Sequence, residues 1–396
     1  MTQKIGVEEL LGLIPESKLN ELAVSTEVDY SVKKLKGQVL FKLLLYSVIK
    51  SERVSSRAIE TFFNSRSFQF LANLPLQSKT RHSSISERLA HVEVSFFEKI
   101  YEYVVSELSS KYVADSTQGQ KIKRFDSTIV SLSSRLLHVG MSNDSKSGSG
   151  KRDNALRQVK FTVGFDGLLP HQVDCFLEQN YLNENLALSE TILNQRAPYE
   201  GITVFDRGLR GRKTFVLLCE ENVKFVTRLD ERLRYETIEV LNTVFYQTET
   251  LDIQQDLKVY LFTSNTKIKQ PFRLVIATNR NTGKVLYFLT NIFECSALEI
   301  TEIYRRRWDI EVFFRFLKQE MNFSHLVSRN ENGIRVMFYL TMIAAMLILI
   351  YRHVNQLAGY KIVKLQFVNE LEFSLIKDIV TLCGGDPDRL DYPIRR

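Results

Sequence analysis

Strand-like patterns in this chain lie only in its middle part, between two long stretches whose apolar residues recur at helical spacing. Residues 1–117 are predicted to be helical, and helical spacing returns near Leu298 and continues to the end. Runs rich in β-branched and aromatic residues predict strands in between, with two helices among them. The first strands are predicted at 121–133, 159–165, 169–176 and 202–205, with helices at about 183–195 and 210–221. This order of elements predicts a mixed α/β core.

A second group of strand patterns covers 223–290 and predicts a β-rich block. Short turn signals predict one hairpin around 166–167, in the first group of strands, and another around 281–283, in the second. The polar stretch 114–120 predicts a linker, and the Gly/Ser-rich stretch 142–154 predicts a mobile loop. The chain therefore divides into a helical first part, a strand-rich middle and a helical last part.

Composition excludes several classes of protein. The chain has 396 residues, of which 44% are hydrophobic and 25% charged, so wholesale disorder and collagen-like repeats are excluded. The four cysteines show no CxxC spacing, so we expect neither a disulfide framework nor a zinc cluster. The first residues do not have the pattern of a signal peptide. The most apolar run, 336–351, is shorter than a membrane span, and we expect it to form a buried core helix.

The net charge of +7 favours a polyanionic partner such as nucleic acid. Basic residues concentrate at 31–60 and at 121–160, and either cluster taken singly can also be a solvated face. The basic residues of the second cluster are Lys121, Lys123, Arg124, Arg135, Lys146, Lys151, Arg152, Arg157 and Lys160. Because both clusters stand close to the candidate catalytic residues below, we expect DNA to be the partner.

Two aspartates occupy informative places in the predicted strands. Asp126 lies inside the first strand, in the run RFDST, where an unpaired buried carboxylate would be costly. Asp206 ends the fourth strand, in the run VFDRG. An aspartate at a strand end is often only a turn or a helix cap, so Asp206 alone indicates little.

The helix predicted to begin near Leu298 carries a polar stripe along one side. At about 100° per residue, its four members fall within an arc of about 60°. These four are Tyr304, Arg307, Glu311 and Lys318, and Trp308 and Arg315 lie beside them. A surface helix with ion pairs four residues apart would explain the same pattern, and Arg307 with Glu311 fits that explanation.

The spacing Tyr304-x2-Arg307-x3-Glu311-x6-Lys318 resembles the YREK signature of DDE transposases of the insertion-sequence-four family, without a gap or a mismatch. The resemblance implies that Asp126, Asp206 and Glu311 are the three catalytic carboxylates. It also implies an α/β fold of the ribonuclease-H-like kind, with a mixed sheet and flanking helices. In that fold a β-rich insertion interrupts the core, and a helical domain precedes it.

The resemblance suggests limits for five parts of the chain. A helical domain that binds the DNA ends is expected at 1–117. The first part of the catalytic core is expected at 118–228 and its second part at 291–350, with the β-rich insertion at 229–290 between them. A C-terminal helical region is expected at 351–396.

The resemblance further implies two Mg²⁺ ions, held by Asp126, Asp206 and Glu311, with Mn²⁺ as a substitute. Magnesium prefers oxygen ligands and needs few carboxylates, because water and phosphate oxygens complete its shell. Two ions about 4 Å apart can activate an attacking oxygen and stabilise the leaving one. The six histidines are dispersed, so no His/Cys cluster in the sequence favours a softer metal.

In the family, the stripe residues hold the transposon end, including a base that is flipped out near the cut. The resemblance therefore implies DNA contacts by Tyr304, Arg307, Trp308, Arg315 and Lys318. Trp308 is the only tryptophan. If relatives stack a separate tryptophan on the flipped base, the candidates for that role here are Tyr260 and Phe262.

Further basic residues follow the second aspartate: Arg207, Arg210, Arg212 and Lys213. They can line the DNA channel or form a solvated helix face, and the same two interpretations apply to Lys160. On the first interpretation, Arg207 and Arg210 are candidate DNA-binding residues.

The sequence thus predicts a DNA transposase that binds the terminal inverted repeats of its insertion sequence and catalyses metal-dependent strand cleavage and strand transfer. Expected partners are double-stranded DNA, at transposon ends and target, and a second copy of the chain in the DNA complex. We expect no membrane association and a location in the bacterial cytoplasm, at the nucleoid. Three alternatives remain: a ribonuclease-H-like nuclease without strand transfer, a non-catalytic transposase-derived DNA-binding protein, and an accidental motif match in a basic α/β protein.

Overall fold

The structure is a computed structural model of the chain. It describes residues 4–75, 77–112, 119–132, 139–142, 157–194, 201–242, 246–264, 266–324, 328 and 330–391. Residues 114–118 of the expected linker and 143–154 of the expected loop lie outside the described residues, as do Arg135, Lys146, Lys151 and Arg152. The chain forms two compact units, one from residues 1–113 and 315–396 and one from residues 114–314.

The unit 114–314 is built on one mixed sheet of eleven strands. The strands are β1 Ile122–Ser131, β2 Met141–Ser142, β3 Arg157–Phe165, β4 Pro170–Phe176, β5 Ile202–Phe205, β6 Lys224–Leu229, β7 Tyr235–Asn242, β8 Tyr246–Gln247, β9 Leu251–Thr263, β10 Thr266–Asn279 and β11 Val285–Thr290. Their order is β2-β3-β1-β5-β6-β11-β10-β9-β7, with β4 beside β3 and β8 beside β9. Only the β1–β5 and β5–β6 pairs are parallel. The predicted mixed α/β fold is therefore confirmed.

Helices cover both faces of this sheet. They are α8 Glu184–Leu193, α9 Arg212–Glu220, α10 Ala297–Arg305 and α11 Trp308–Glu320, of which α11 contributes residues to both units. On one face α8 and α9 pack on an aromatic core in which Phe205, Phe215 and Phe225 stack with centroids 5.6–6.4 Å apart. On the other face α10 buries Ile300 and Ile303 against β5, β6 and β10. The sheet edge between these layers positions the candidate site.

The strand patterns predicted from the sequence correspond to observed strands, and both predicted hairpins are present. Asp166 N donates to Leu169 O in the β3–β4 turn, where Gly167 has a φ of +108°, a value that favours glycine. The predicted continuous helix from residue 298 was wrong in one respect. It is interrupted at Arg306 and Arg307, which form a turn between α10 and α11.

The other unit is helical. Its helices are α1 Val7–Gly12, α2 Glu16–Ser25, α3 Gly37–Lys50, α4 Ser56–Phe63, α5 Arg66–Leu71, α6 His82–His91, α7 Val94–Lys111, α12 Glu331–Val354 and α13 Tyr360–Leu382. By length and composition α12 could cross a membrane, but 94% of its most apolar 18-residue window is buried in the protein. The run 336–351 thus forms the buried core helix that the sequence predicted.

Candidate active site

Asp126 and Asp206 lie next to each other at the same edge of the sheet. β1 and β5 run parallel, and Phe125 is paired with Phe205, so the two aspartates follow one registered pair. Both phenylalanines point into the aromatic core, and the alternation of side chains along a strand therefore turns both aspartates to the opposite face. This is the face on which α10 packs and against which Phe313 of α11 stacks on Phe165, with centroids 4.6 Å apart.

The pKa of Asp126 depends on its burial and on the charges around it. Burial, followed by the negative charge of Asp206, raises the pKa of Asp126 to about 7. The Ser127 backbone N–H donates to Asp126 Oδ1 at 2.8 Å, and Arg307 Nη1 lies 3.8 Å from Asp126 Oδ2, and both contacts oppose that rise. Burial and the charge of Asp206 thus both disfavour the ionised form of Asp126, which a bound cation would favour.

The loop after β5 is shaped around Asp206. Its carboxylate accepts the Gly208 N–H at 2.7 Å, and its carbonyl accepts the Thr227 hydroxyl at 3.3 Å. A Cβ at residue 208 would lie 2.7 Å from Asp206 Oδ1 and 2.8 Å from Glu184 Cγ, so only glycine fits there. Glu184, at the start of α8, is thus a further carboxylate close to Asp206, and it pairs with Lys160 at 2.7 Å.

Glu311 lies in the first turn of α11 and is engaged by Arg307. The Arg307 guanidinium forms an ion pair with the Glu311 carboxylate and also approaches Asp126. The interruption between α10 and α11 sets this geometry, because it lies at Arg306 and Arg307. The buried Arg124 of β1 anchors the interruption: its Nε donates to Arg306 O at 3.1 Å, and its Nη2 contacts Asp309 at 3.0 Å.

Tyr304, the first residue of the polar stripe, is half-buried at the end of α10. Its ring meets Phe288 edge to face at 5.3 Å, and the Arg307 guanidinium lies 5.9 Å from its centroid. Burial raises the pKa of Tyr304, while the nearby charges of Arg307 and Arg228 oppose the rise. The sequence prediction did not single out Arg228.

The position of Arg228 follows from strand register. Val204 of β5 pairs with Val226 of parallel β6, so Arg228 stands beside Asp206 at the same edge of the sheet. Its half-buried side chain lies close enough to Tyr304 to influence the charge state of that residue. The only sequence signal for it is a basic residue near the end of a predicted strand.

Only part of the carboxylate set fits a divalent cation in this arrangement. Asp126 and Asp206 offer adjacent oxygen donors in an electronegative setting, which suits Mg²⁺. Glu311 does not join them, because Arg307 holds it. Within the described parts of the chain, no group of three or more His, Cys, Asp or Glu side chains is arranged to hold a metal ion.

The other predicted DNA-binding residues are mostly exposed. Trp308 is 53% exposed, and Arg315 and Lys318 are exposed further along α11. Arg207 and Arg210 are exposed in the loop after Asp206, where both contact Asp230. Tyr260 and Phe262 lie on β9, and three strands separate β9 from the Asp206 strand, so the structure does not bring them beside the aspartates.

Three basic residues of the cluster at 121–160 correct an expectation. Lys123, Arg124 and Lys160 are buried rather than placed on a solvated or DNA-facing surface. Arg124 and Lys160 are each 1% exposed, and each is paired with a carboxylate inside the unit. These charges therefore hold the fold of the site together and do not present a surface to a partner.

Comparison with known proteins identifies the family of the chain. The family described as "Transposase DDE domain" matches residues 117–347. The chain is 26% identical over 269 residues to a putative transposase for insertion sequence element IS4SA of Synechocystis sp., covering 67% of this chain and 70% of that protein. It is 23% identical over 267 residues to a probable transposase for insertion sequence element IS5377 of Geobacillus stearothermophilus, covering 67% and 66%.

Among solved structures, a chain of the piggyBac transposase synaptic complex with hairpin DNA matches with a TM-score of 0.48 and 14% identity. The match covers 100% of this chain and 84% of that one. The family match spans more than half of the chain. This chain therefore belongs to the family of transposases with a DDE domain.

Proposed function

We propose that this protein binds the terminal inverted repeats of its own insertion sequence, cuts DNA there and joins the freed end to a new site. In this proposal Asp126, Asp206 and Glu311 are the catalytic carboxylates. The observation that carries it is the proximity of Asp126, inside β1, to Asp206, directly after β5, beside the ion pair of Arg307 with Glu311. Membership in the DDE transposase family supports the same class of reaction.

The basic groups near the carboxylates would bind the reacting phosphodiester. Arg307 and Arg228 both lie near Tyr304, and guanidinium groups bind phosphate oxygens through paired hydrogen bonds. Held against Asp126 and Asp206, a phosphodiester would have its charge neutralised by these two arginines. The buried Tyr304 hydroxyl can donate a further hydrogen bond to it. Arg315 and Lys318, together with the exposed Trp308, would hold the DNA beyond the cut.

Asp126 and Asp206 would hold Mg²⁺, or Mn²⁺ in its place, and Glu311 would join them once Arg307 turns to the DNA. When bound, two such ions supply Lewis-acid stabilisation of the attacking and leaving oxygens. The oxygen donors and the raised pKa of Asp126 support this assignment.

The remaining assignments of the proposal concern the whole chain. The helices of residues 1–117 would bind the terminal repeats, and the core would be ribonuclease-H-like with the β-rich insertion at 229–290. The stripe of Tyr304 to Lys318 would make the protein a member of the insertion-sequence-four group. Two copies would pair two DNA ends, in the bacterial cytoplasm.

A cleavage assay tests the proposal. Wild-type protein is incubated with DNA carrying the ends that flank its gene, with Mg²⁺ or with EDTA. We expect cutting at the boundary of the end that requires metal, and a loss of at least about 100-fold in Asp126→Asn, Asp206→Asn and Glu311→Gln, whose DNA binding persists. Glu302→Gln, which removes a carboxylate of α10 paired with Arg305, is the matched control. Normal cutting by any one of the three variants would refute its assignment.

A joining assay separates the proposal from its alternatives. The cut end is offered a supercoiled target plasmid, and joined products are counted. Cutting without joining would indicate a nuclease, and binding without cutting in any divalent metal would indicate a non-catalytic DNA-binding protein.

A further inference from the structure

A cavity of about 580 Å³ opens at the ends of β5 and β6, next to the candidate active site. We call it the arginine pocket. Its charged lining consists of Arg207, Arg210, Arg212, Arg228, Arg232 and Lys284, with Asp230 and Glu231. The carboxyl ends of adjacent parallel strands are where open α/β sheets bind their ligands.

The charges of the pocket are not balanced within the protein. Six cationic side chains face two carboxylates. Asp230 is already contacted by Arg207 at 3.3 Å and by Arg210 at 3.5 Å. Arg228, Arg232 and Lys284 form no ion pair with any described carboxylate, so these three are available to an anionic ligand.

Two lining residues of the pocket are neighbours of Asp206. Arg207 directly follows Asp206 in the chain, and Arg228 stands beside Asp206 by the register of β5 and β6. From there the lining extends through Arg232 to Lys284 at the start of β11. An extended ligand that passes Asp206 would therefore meet these cations one after another.

The chemistry of the lining selects phosphates rather than bases. The pocket has no aromatic side chain, and its apolar members are aliphatic, among them Leu233 and Leu286. Binding of single strands through their bases uses aromatic platforms, whereas binding through the backbone uses a basic groove. The cavity is also too small to enclose a duplex.

We propose that the arginine pocket binds the backbone phosphates of a single DNA strand that runs on from the phosphodiester at Asp206. The proposal rests on the function proposed above, because it takes the reacting DNA to lie at Asp206. It adds that the strand separates from its complement at this point, and that the pocket binds its phosphates through charge and makes no contact with its bases.

Binding measurements in EDTA test this without cleavage. Three fluorescent DNAs are compared: a duplex end that stops at the cleavage site, and the same end with a ten-nucleotide single-stranded extension on one strand or on the other. The variant is Arg232→Gln with Lys284→Gln, which leaves Arg228 in place because that residue is proposed to bind the reacting phosphodiester. We expect the extension to tighten binding of the wild type at least tenfold and the variant to lose that gain. The slope of log affinity against log salt should fall by about 0.7 per lost phosphate contact.

A double variant with the same charge change elsewhere in the strand-rich unit is the control: Lys267→Gln with Lys269→Gln. It should keep the gain from the extension, and both variants should bind the blunt duplex like the wild type. Equal losses on blunt and extended DNAs, or no loss, would overturn the proposal. If inorganic tripolyphosphate binds the wild type more tightly than the extended DNA does, the proposal is also overturned.

Failure of the proposed function is a separate result. If the wild type neither cuts nor prefers its own ends, but a single strand of unrelated sequence binds in a way that needs Arg232 and Lys284, the pocket assignment stands. If the wild type cuts its ends and the variant keeps the extension's gain, only the pocket assignment falls.

Discussion

Arg307 stands between two candidate catalytic carboxylates, since its guanidinium pairs with Glu311 and lies 3.8 Å from Asp126. Its Nε is buried and has no hydrogen-bond partner in the described part of the chain. Arg307 therefore compensates the negative charge of these two carboxylates, while its Nε–H group stays available to an acceptor. We expect a DNA phosphate to attract this guanidinium away and to free Glu311 for the aspartates.

Replacement of Arg307 should therefore affect metal and DNA binding in opposite directions. We expect Arg307→Gln to bind Mn²⁺ about 3- to 10-fold more tightly than the wild type in the absence of DNA, because a positive charge leaves the carboxylates. The same variant should bind end DNA more weakly. Titration of Mn²⁺ followed by electron paramagnetic resonance measures the first effect. Arg305→Gln, which breaks the exposed pair with Glu302, is the control, and an unchanged Mn²⁺ affinity in Arg307→Gln would contradict this view.

The pKa of Asp126, raised from its ordinary value of 3.8 to about 7, predicts a pH dependence of stability. The unfolded chain releases this proton near pH 4 and the folded chain only near pH 7. The contribution of Asp126 to stability therefore falls as the pH rises between these values and stays low above them.

We expect Asp126→Asn to be more stable than the wild type at pH 8 by at least about 1.4 kcal/mol, which corresponds to one pKa unit. The difference should vanish near pH 4, where both side chains are neutral. Urea unfolding at the two pH values measures it. A gain of the same size in Asp174→Asn, on β4, would mean that the effect is not specific to the site.

At the scale of elements, the interruption between α10 and α11 depends on one buried side chain. Arg124 donates to the carbonyls of Arg306, Ile122 and Asp166 and contacts Asp309 at 3.0 Å. It is 1% exposed, so these partners compensate its charge inside the protein. Arg124 thus fixes where α11 begins, and with it the direction of Glu311.

Loss of Arg124 should weaken both the fold and the site. We expect Arg124→Met to lower the free energy of unfolding by about 1–3 kcal/mol, because the carbonyls of Arg306, Ile122 and Asp166 lose the donor that Arg124 provides. Arg305→Met, which removes an exposed pair, should change it by less than about 1 kcal/mol. Urea unfolding followed through Trp308, the only tryptophan and a residue of α11, measures both. Equal effects of the two substitutions would show that Arg124 does not anchor the interruption.

Local patterns predicted most of the elements. Period-two runs and turn residues predicted the strands and both hairpins, since these depend on neighbours in sequence. The interruption at Arg306 was missed because Arg124, its main support, lies 182 residues earlier. Arg228 was missed because its proximity to Asp206 depends on the register of β5 and β6. A count of charges likewise does not distinguish the buried Lys160 from an exposed lysine.

The proximity of Asp126 and Asp206 was expected, because the YREK resemblance named both as members of one catalytic set. From the sequence, the contact between Arg307 and Glu311 was expected only as an ordinary ion pair on one face of a helix. Its approach to Asp126 depends on the turn that the sequence did not predict. The roles of these residues in DNA cleavage stay predictions.

At the scale of the whole molecule, α12 forms the centre of the helical unit. It packs against α3, α6, α7 and α13, and Leu347 in its middle is fully buried. We expect Leu347→Asp to abolish cooperative unfolding of this unit, because it buries an unpaired charge. Ile376→Asp on α13, at a half-exposed position, should have little effect. Circular dichroism at 222 nm during urea titration compares them, and a stable, cooperative Leu347→Asp protein would contradict the burial of α12.

The helical unit is assembled from both ends of the chain, with about 200 residues between its two segments. A ribosome adds about 5–20 residues per second, so roughly 10–40 seconds pass between synthesis of the first segment and arrival of the second. During that interval the apolar faces of α3 and α7 lack α12. We therefore expect the newly made chain to need chaperones to shield these faces, and a chain cut short after the strand-rich unit to be degraded faster than the complete one.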